Sequence, residues 1–307
     1  MVAPLPEALL PAVTGGPGLP GAPGAPDGGA TARPSRRQRW ALTPGIVIPA
    51  AILALIVGAC FLWPLVYPVP PPVGGSILEA GLPPFSPGHI FGTDPVGNDI
   101  LSRILYGGRV SIEVALAVSL IGLAIGGVLG GVAAYCGGAV DTVVMRVLDV
   151  LIAFPALVLA VAVAEGLGPS EMHVIWALSF FSIPAFARIA RAGTLRLHGQ
   201  TFMLAARLSG TRTWRILLRH VTPNIMPQLV TFALLGAGVV IILEGALSFL
   251  GLGIPAPAPS WGNMIALGQG TLSAQPVLVI IPSLFLLATV LSLNLLGDAL
   301  RKRWGVR

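Results

Sequence analysis

Side chains able to carry covalent chemistry are few and scattered in this chain. Its single lysine, Lys302, follows Leu300 and Arg301 rather than a glycine-rich turn, so a phosphate-cradling G-x-x-x-x-G-K-[ST] loop is excluded. The chain is therefore not a conventional P-loop ATPase by itself. His89, His173, His198 and His220 lack the spacing of metal ligands, and no serine, histidine and acid arrangement stands out. Cys60 and Cys136 are the only cysteines, and their placement indicates neither a disulfide nor a metal site. No catalytic residue, metal ligand or bound cofactor is expected. What remains to be explained is a basic stretch and an acid set inside an apolar run.

The basic stretch runs from Phe202 to Asn224. Ala205 and Ala206, Gly210 four residues later and Pro223 thirteen beyond that predict two short helices joined by a turn. Arg207 precedes that turn. After it, Trp214, Leu217, Leu218 and Val221 recur at helical spacing on one face, while Arg212, Arg215 and Arg219 recur on the other. His220 falls at the end of the second helix, where an imidazole serves as a cap. The apolar side suits contact with a helical bundle and the basic side suits a partner protein. A membrane-surface helix held by anionic lipid would explain the arginines but not the spacing of the small residues.

The elements that must position this stretch follow from composition. With 55% hydrophobic residues, 10% charged and a mean hydropathy of +0.87, there is too little polar surface to cover a soluble globule of 307 residues. Six apolar runs approach the roughly 20 residues needed to cross a bilayer. They are Ile46–Val66, Ser111–Ala134, Val143–Val163, His173–Ile189, Ile225–Phe249 and Val277–Leu296, the fourth being the shortest. An all-α protein with six transmembrane helices is expected.

Fifteen of the 18 basic residues cluster on the N-terminal flank (Arg33–Arg39), between Arg188 and Arg219, and in the tail. Six spans bring these three clusters to one side, which the positive-inside rule makes cytoplasmic. Both termini are then inside, and only Arg103 and Arg109 fall opposite. Residues 1–40 form a Pro/Gly-rich tail expected to be disordered. Residues 41–110 comprise the first span and an extracytoplasmic loop, 111–300 the five-helix core with its loop at 190–224, and 301–307 a basic tail. Ser35-Arg36-Arg37 and Val57–Cys60 faintly match signals for twin-arginine export and lipoprotein cleavage, but the apolar run continues through Trp63 and the first span reads as retained.

Within the core, Gly122, Gly126 and Gly130 repeat every four residues and let another helix approach by backbone contact, either as static packing or as a sliding surface. Arg146 and Asp149, three apart, are expected to neutralise each other. Glu244 sits inside the fifth span, where a carboxylate costs a few kcal/mol unless it finds a partner or a polar cavity. Two readings stand for it: a lining of the outer gate or translocation path together with Ser248, or a structural hydrogen bond to backbone or Trp261. Ile254–Ser260 reads as a stiff outer loop.

Several segments carry a family resemblance over about Phe91–Arg307. Phe91–Arg103 resembles the G-T-D-x-x-G-R-D-x-x-S-R segment of dipeptide, oligopeptide and nickel importer permeases, with Asn98 where arginine is usual. Glu244–Gly253, Ser260-Trp261-Gly262 and Leu293–Asp298 are similar to their E-x-x-L-S-F-L-G-L-G, S-W-G and N-L-L-G-D patterns. The Ala205–Pro223 stretch resembles their cytoplasmic coupling loop, with Leu204 in place of a frequent glutamate.

The resemblance is to the second of the two permease types in such ATP-driven systems. It implies a paralogous permease, two cytoplasmic ATPase domains that bind ATP and Mg²⁺, an extracytoplasmic solute-binding protein, and an inner-membrane location with no nucleic-acid partner. It assigns Ala205, Ala206, Arg207, Gly210, Arg212, Arg215, His220 and Pro223 to ATPase coupling. A peptide is the solute it implies first, with a metal chelate or haem as the alternative. An ion-coupled transporter would need acidic relays at mid-span, and the sequence lacks them.

The predicted topology has a direct check. Labelling from outside the cell should reach a cysteine introduced at Ser86 or Ala258 and miss one at Gln200; labelling of Gln200 in intact cells would overturn the orientation.

Overall fold

The computed structural model describes residues 44–66 and 70–305. The tail over 1–40 and the flank Arg33–Arg39 lie outside them, as does Arg307. Among the described residues the protein is helical with no extended strand. The principal helices are α1 (Pro44–Phe61), α2 (Ile100–Cys136), α3 (Gly138–Ile152), α4 (Ala156–Leu167), α5 (Glu171–His198), α6 (Thr201–Leu208), α7 (Thr213–Phe249), α8 (Trp261–Gly268) and α9 (Val277–Trp304). Five of them, α1, α2, α5, α7 and α9, are long and apolar enough to cross a membrane, and the bent pair α3 and α4 makes a sixth if counted as one span.

That pair departs from the straight span expected over Val143–Val163. α3 and α4 meet at 74° across the Ala153–Pro155 break. The cause is Pro155: a proline restrains the residue before it to extended backbone and offers no N–H to continue the helix, so α3 stops and α4 starts afresh behind it. The fourth span is longer than expected, since α5 runs 28 residues to His198. α2 likewise begins at Ile100 rather than Ser111, with Asp99 capping it by accepting from the Ser102 amide at 2.7 Å. Arg103 and Arg109 thus belong to a helix and not to a loop. Arg103 Nη1 donates to the Pro72 carbonyl at 3.2 Å, and Arg109 stacks between Phe61 and Tyr106 with its guanidinium toward the last carbonyls of α1.

α2 lies against α5 along the glycine series. A Cβ added at Gly126 would stand 2.3 Å from the Ile183 carbonyl oxygen, and one at Gly130 2.0 Å from that of Ala187. At Gly122 it would meet Ser182 Oγ at 2.1 Å. These glycines therefore seat one helix of the chain on another. A π-helical turn at Gly122–Gly126 interrupts α2 along this contact. Beside this pair α7 packs on α2, α5 and α9, and α9 packs on α1. One apolar cluster joins Val114, Val118, Val174, Leu178, Ile241 and Leu247 toward the α2 N-terminal end, and a second gathers Phe186, Ala190, Met203, Ile216, Val221 and Leu229 toward the other.

The segment from Pro70 to Asp99 folds on a polar cage. Asp94 Oδ1 accepts from the amides of Val96 and Asn98, both at 2.9 Å, and its Oδ2 from Asn98 Nδ2 at 2.9 Å. Asn98 Oδ1 accepts from the Gly75 amide at 3.0 Å, and Thr93 Oγ1 accepts from Leu82 N and donates to the Glu79 carbonyl. Asn98 thus supplies one donor and one acceptor at a buried site, which its short neutral amide does without bringing in a charge. On this frame Phe85 adopts φ +67°, a conformation that costs a non-glycine residue about 1–2 kcal/mol.

Gly130→Ala should lower the unfolding midpoint in detergent, since the clash is with backbone that cannot swing aside, at a cost of about 1–3 kcal/mol. Gly166→Ala, with nothing within 4 Å of the added carbon, should leave the midpoint unchanged or raise it.

Candidate functional site

The basic stretch is anchored from inside. Met203 of α6 is fully buried, as are Ile216 and Val221 of α7, all in the cluster with Phe186 and Ala190 of α5. α6 ends in a Schellman closure: the Thr211 amide donates to the Ala206 carbonyl at 3.2 Å and the Gly210 amide to that of Arg207 at 3.0 Å. The closure requires left-handed backbone at Gly210, whose φ is +67°. Arg212 then caps α7, its carbonyl accepting from Arg215 N and Ile216 N.

Arg207 ties α6 to the ends of two long helices. Its Nη2 lies 2.7 Å from His198 Nε2, the last residue of α5, and its guanidinium sits 5.0 Å over the ring of Tyr135 near the end of α2. Because a guanidinium can only donate, His198 meets it as a neutral ring accepting at Nε2.

The other residues singled out from sequence fall as follows. Ala205 is exposed, and Ala206 is half-buried and turned toward the chain's own core. Leu204 and Leu208 flank Ala205 and are exposed, so the outward face of α6 is small and apolar. Arg212, Arg215 and Arg219 are exposed, Arg215 stacking on Trp214 at 5.2 Å. Trp214 and Leu218 are exposed too, rather than laid on the bundle as their spacing predicted. With Leu217, Val221 and Ile225 they face Leu123, Gly127 and Gly131 of α2 across an open apolar groove of about 450 Å³.

Pro223 does not end a helix. A π-helical turn at Leu217–Val221 absorbs the missing hydrogen bond just ahead of it, and α7 continues to Phe249. His220 consequently lies within a helix and caps nothing; its carbonyl accepts from Asn224 Nδ2 at 2.6 Å.

Arg146 and Asp149 are not partners. Asp149 accepts from Arg188 at 2.8 Å and Asp141 from Arg191 through two contacts of 2.6 Å, so α3 is strapped to α5. Arg146 lines the cavity of about 540 Å³ between these pairs. The pairing was hidden because spacing along one helix cannot show that a second helix offers better-placed arginines.

Glu244 is wholly buried at the far end of α7. Its Oε2 accepts from Ser111 Oγ of α2 at 2.9 Å and its Oε1 from Ser248 Oγ at 2.7 Å, and Ser248 Oγ also accepts from the Ile254 amide at 3.1 Å. Glu244 is thus hydrogen-bonded as the second reading expected, with serines as partners in place of backbone or Trp261. Trp261 donates to the Ile104 carbonyl instead, at 3.0 Å. Glu244 and Ser248 therefore fasten α2, α7 and the segment leading to α8. Among the described residues no group of His, Cys, Asp and Glu is placed to hold a metal.

Five or six helices long enough to cross a membrane and a basic loop anchored against them are the architecture of a membrane transport subunit, and its relatives identify it as a permease. A family model described as a binding-protein-dependent transport system inner membrane component matches residues 122–306. The glutathione transport system permease protein GsiD of Pectobacterium atrosepticum is 43% identical over 216 residues, covering 70% of this chain and 72% of the relative. The protein of that name from Escherichia coli O157:H7 is 40% identical over 266 residues, covering 87% and 86%. Inward-facing conformations of the MetNI methionine ABC transporter share the fold, with a TM-score of 0.54 at 17% identity over 66% of this chain and 96% of that one. The chain belongs to the binding-protein-dependent transport system inner membrane component family and is a multi-pass permease subunit of an ABC importer.

Glu244→Leu would strand the hydroxyls of Ser111 and Ser248, each worth about 1–3 kcal/mol when buried unpaired. It should lower thermal stability markedly, whereas Glu244→Gln, which keeps an acceptor, should lose far less. Equal losses in the two variants would contradict the two-serine arrangement.

Proposed function

We propose that this subunit, with a paralogous permease, forms the translocation path of an importer for di- or oligopeptides or similar peptide-like solutes, and that Thr201–Pro223 is where a cytoplasmic ATPase docks. The single observation that carries the docking reading is the construction of α6. It is pinned by Met203 and Arg207, closed by Gly210, and presents Leu204, Ala205 and Leu208 outward, exposed among the described residues. A short, rigid helix with a small apolar face suits a groove on a partner, and the arginines beside it supply charge at the rim.

ATP and Mg²⁺ bind on the ATPase subunits, since this chain has no P-loop. Closure of the ATPases draws the α6 helices together, and Arg207 passes that movement to the ends of α2 and α5. The subunit itself is non-catalytic. Solute arrives on an extracytoplasmic binding protein, and both termini face the cytoplasm as the charge asymmetry requires. The peptide reading is supported by relatives named as glutathione permeases, glutathione being peptide-like. Uptake of labelled glutathione or dipeptides into proteoliposomes holding the whole complex tests it; uptake of a nickel chelate with no peptide uptake would overturn it.

In that complex Ala205→Trp should release the ATPase while the permease stays folded, because the ring projects outward. Ala206→Trp should disturb the loop itself, and Gly210→Pro should break the left-handed closure and abolish transport. Reversing Arg212 and Arg215 together to glutamate should weaken assembly more at low salt than at high salt, as screening requires. Assembly and transport unchanged at low salt would end the role given to the basic face, and ATP hydrolysis by the purified chain alone would end the division of labour.

A further inference from the structure

The α3 helix carries two faces that meet at one residue. Asp141, Thr142, Met145 and Asp149 line the cavity of about 540 Å³ that α3 shares with Arg188 and Arg191 of α5. On the other side Val140, Val143, Val147 and Val150 recur at helical spacing, each between 46% and 62% exposed. Arg146 stands on the seam. Thr142 and Asp149 lie one turn from it toward the cavity, and Val143 and Val150 lie one turn from it toward the valine stripe.

The ion pairs around the cavity do not balance. Three guanidinia, on Arg146, Arg188 and Arg191, face two carboxylates, on Asp141 and Asp149. Asp141 is engaged by two nitrogens of Arg191 and Asp149 by one of Arg188, whereas Arg146 makes no hydrogen bond or ion pair among the described residues. One positive charge is therefore left over, and Arg188 keeps donors beyond the single nitrogen it gives to Asp149. Two guanidiniums with unused donors on one cavity suit a group that carries one negative charge on several oxygens.

The valine stripe selects the source of that group. A phosphodiester attached to acyl chains needs a cation at the border of an apolar surface, which is where Arg146 sits. A free anion has no use for the stripe. The core of a protein interface is rich in aromatic side chains, and the stripe holds none. The cavity also lies toward the end of the bundle that carries α6, since Arg188 and Arg191 fall within ten residues of His198, which Arg207 meets. On the orientation proposed above, that end is in the anionic cytoplasmic leaflet.

We infer that the α3–α5 cavity is a binding site for an anionic phospholipid, with Arg146 and Arg188 holding the phosphate and an acyl chain lying along Val143, Val147 and Val150. This rests on the orientation given under the proposed function.

The test places the whole complex in phosphatidylcholine nanodiscs with a trace of photoactivatable phosphatidylglycerol, and maps the crosslinks to peptides by mass spectrometry. Crosslinks should fall on α3 and be displaced by unlabelled phosphatidylglycerol, but not by added phosphatidylcholine or by millimolar inorganic phosphate. Arg146→Gln should weaken them about fivefold, the order expected for one basic residue at an anionic lipid surface. Its unfolding midpoint should match the wild type, because Arg146 ties no other residue. Arg146→Lys should keep most of the signal, and Arg301→Gln, an exposed arginine in the last turn of α9, should keep all of it. Crosslinking to α3 that is absent, or equal in wild type and Arg146→Gln, would overturn the inference. Displacement by inorganic phosphate or by a peptide solute would make the cavity a site for free anions and overturn it as well, as would loss of the paralogous permease from the Arg146→Gln complex. Labelling at Gln200 reads the orientation separately, so crosslinking that fails while Gln200 stays shielded brings down this inference alone.

Discussion

Everything else in this structure is hung on the backbone approach of α2 to α5. Between helices in lipid there is no hydrophobic driving force, so association depends on close van der Waals and polar contact, and glycine allows the closest. At Gly126 and Gly130 the α5 carbonyls of Ile183 and Ala187 occupy the very space a methyl group would need. This contact sets how the ends of the two helices lie relative to each other. Tyr135, beside the end of α2, and His198, the end of α5, are the groups that receive Arg207. The placement of α6, and so of the face it offers a partner, is inherited from glycines more than fifty residues earlier in the chain.

Much of this was legible in the sequence because it depends on local chemistry. Apolar runs long enough for a bilayer, glycines repeating every four residues, and Ala-Ala with a glycine turn each have one structural use at that spacing, and helices stand where these patterns predict them. The departures share a different cause. Val143–Val163 reads as a single span because hydropathy sums over residues regardless of direction, and a 74° turn at Pro155 leaves the sum untouched. Pro223 reads as a break because a proline removes one hydrogen bond, and the π-helical turn that tolerates the loss has no signature in residue types. The partner of Asp149 and the Ser111 hydroxyl on Glu244 depend on contacts 39 and 133 residues apart in sequence, which no spacing rule along one helix reaches.

The two ends of the bundle are held by different physics. At the α2 N-terminal end the ties are buried: Asp94, Asn98 and Thr93 in the cage, Glu244 between two serines, and Trp261 within a slot where a side chain on Gly108 would meet its ring at 2.5 Å. Breaking any of these leaves a polar group without water or a ring without a seat, so this end resists change. At the other end α3 is held to α5 by Asp141–Arg191 and Asp149–Arg188, and the second pair is about half exposed. Exposed pairs contribute only about 0–1 kcal/mol each, because water serves both partners nearly as well.

That asymmetry matches the division of work in an importer. The α3 helix buries little beyond Leu148 and is joined to α4 through a proline break, so the ion pairs, not a packed core, decide its position. The exposed Asp149–Arg188 pair can be exchanged at little cost, whereas the two-contact Asp141–Arg191 pair holds the start of α3 more firmly. The buried cage and the Glu244 latch allow no such exchange. The exchangeable contacts thus lie at the end of the bundle that carries α6 and Arg207, and the buried ones at the end where α2 begins. The chain has placed its replaceable contacts beside α6 and its irreplaceable ones where the helices must keep their register.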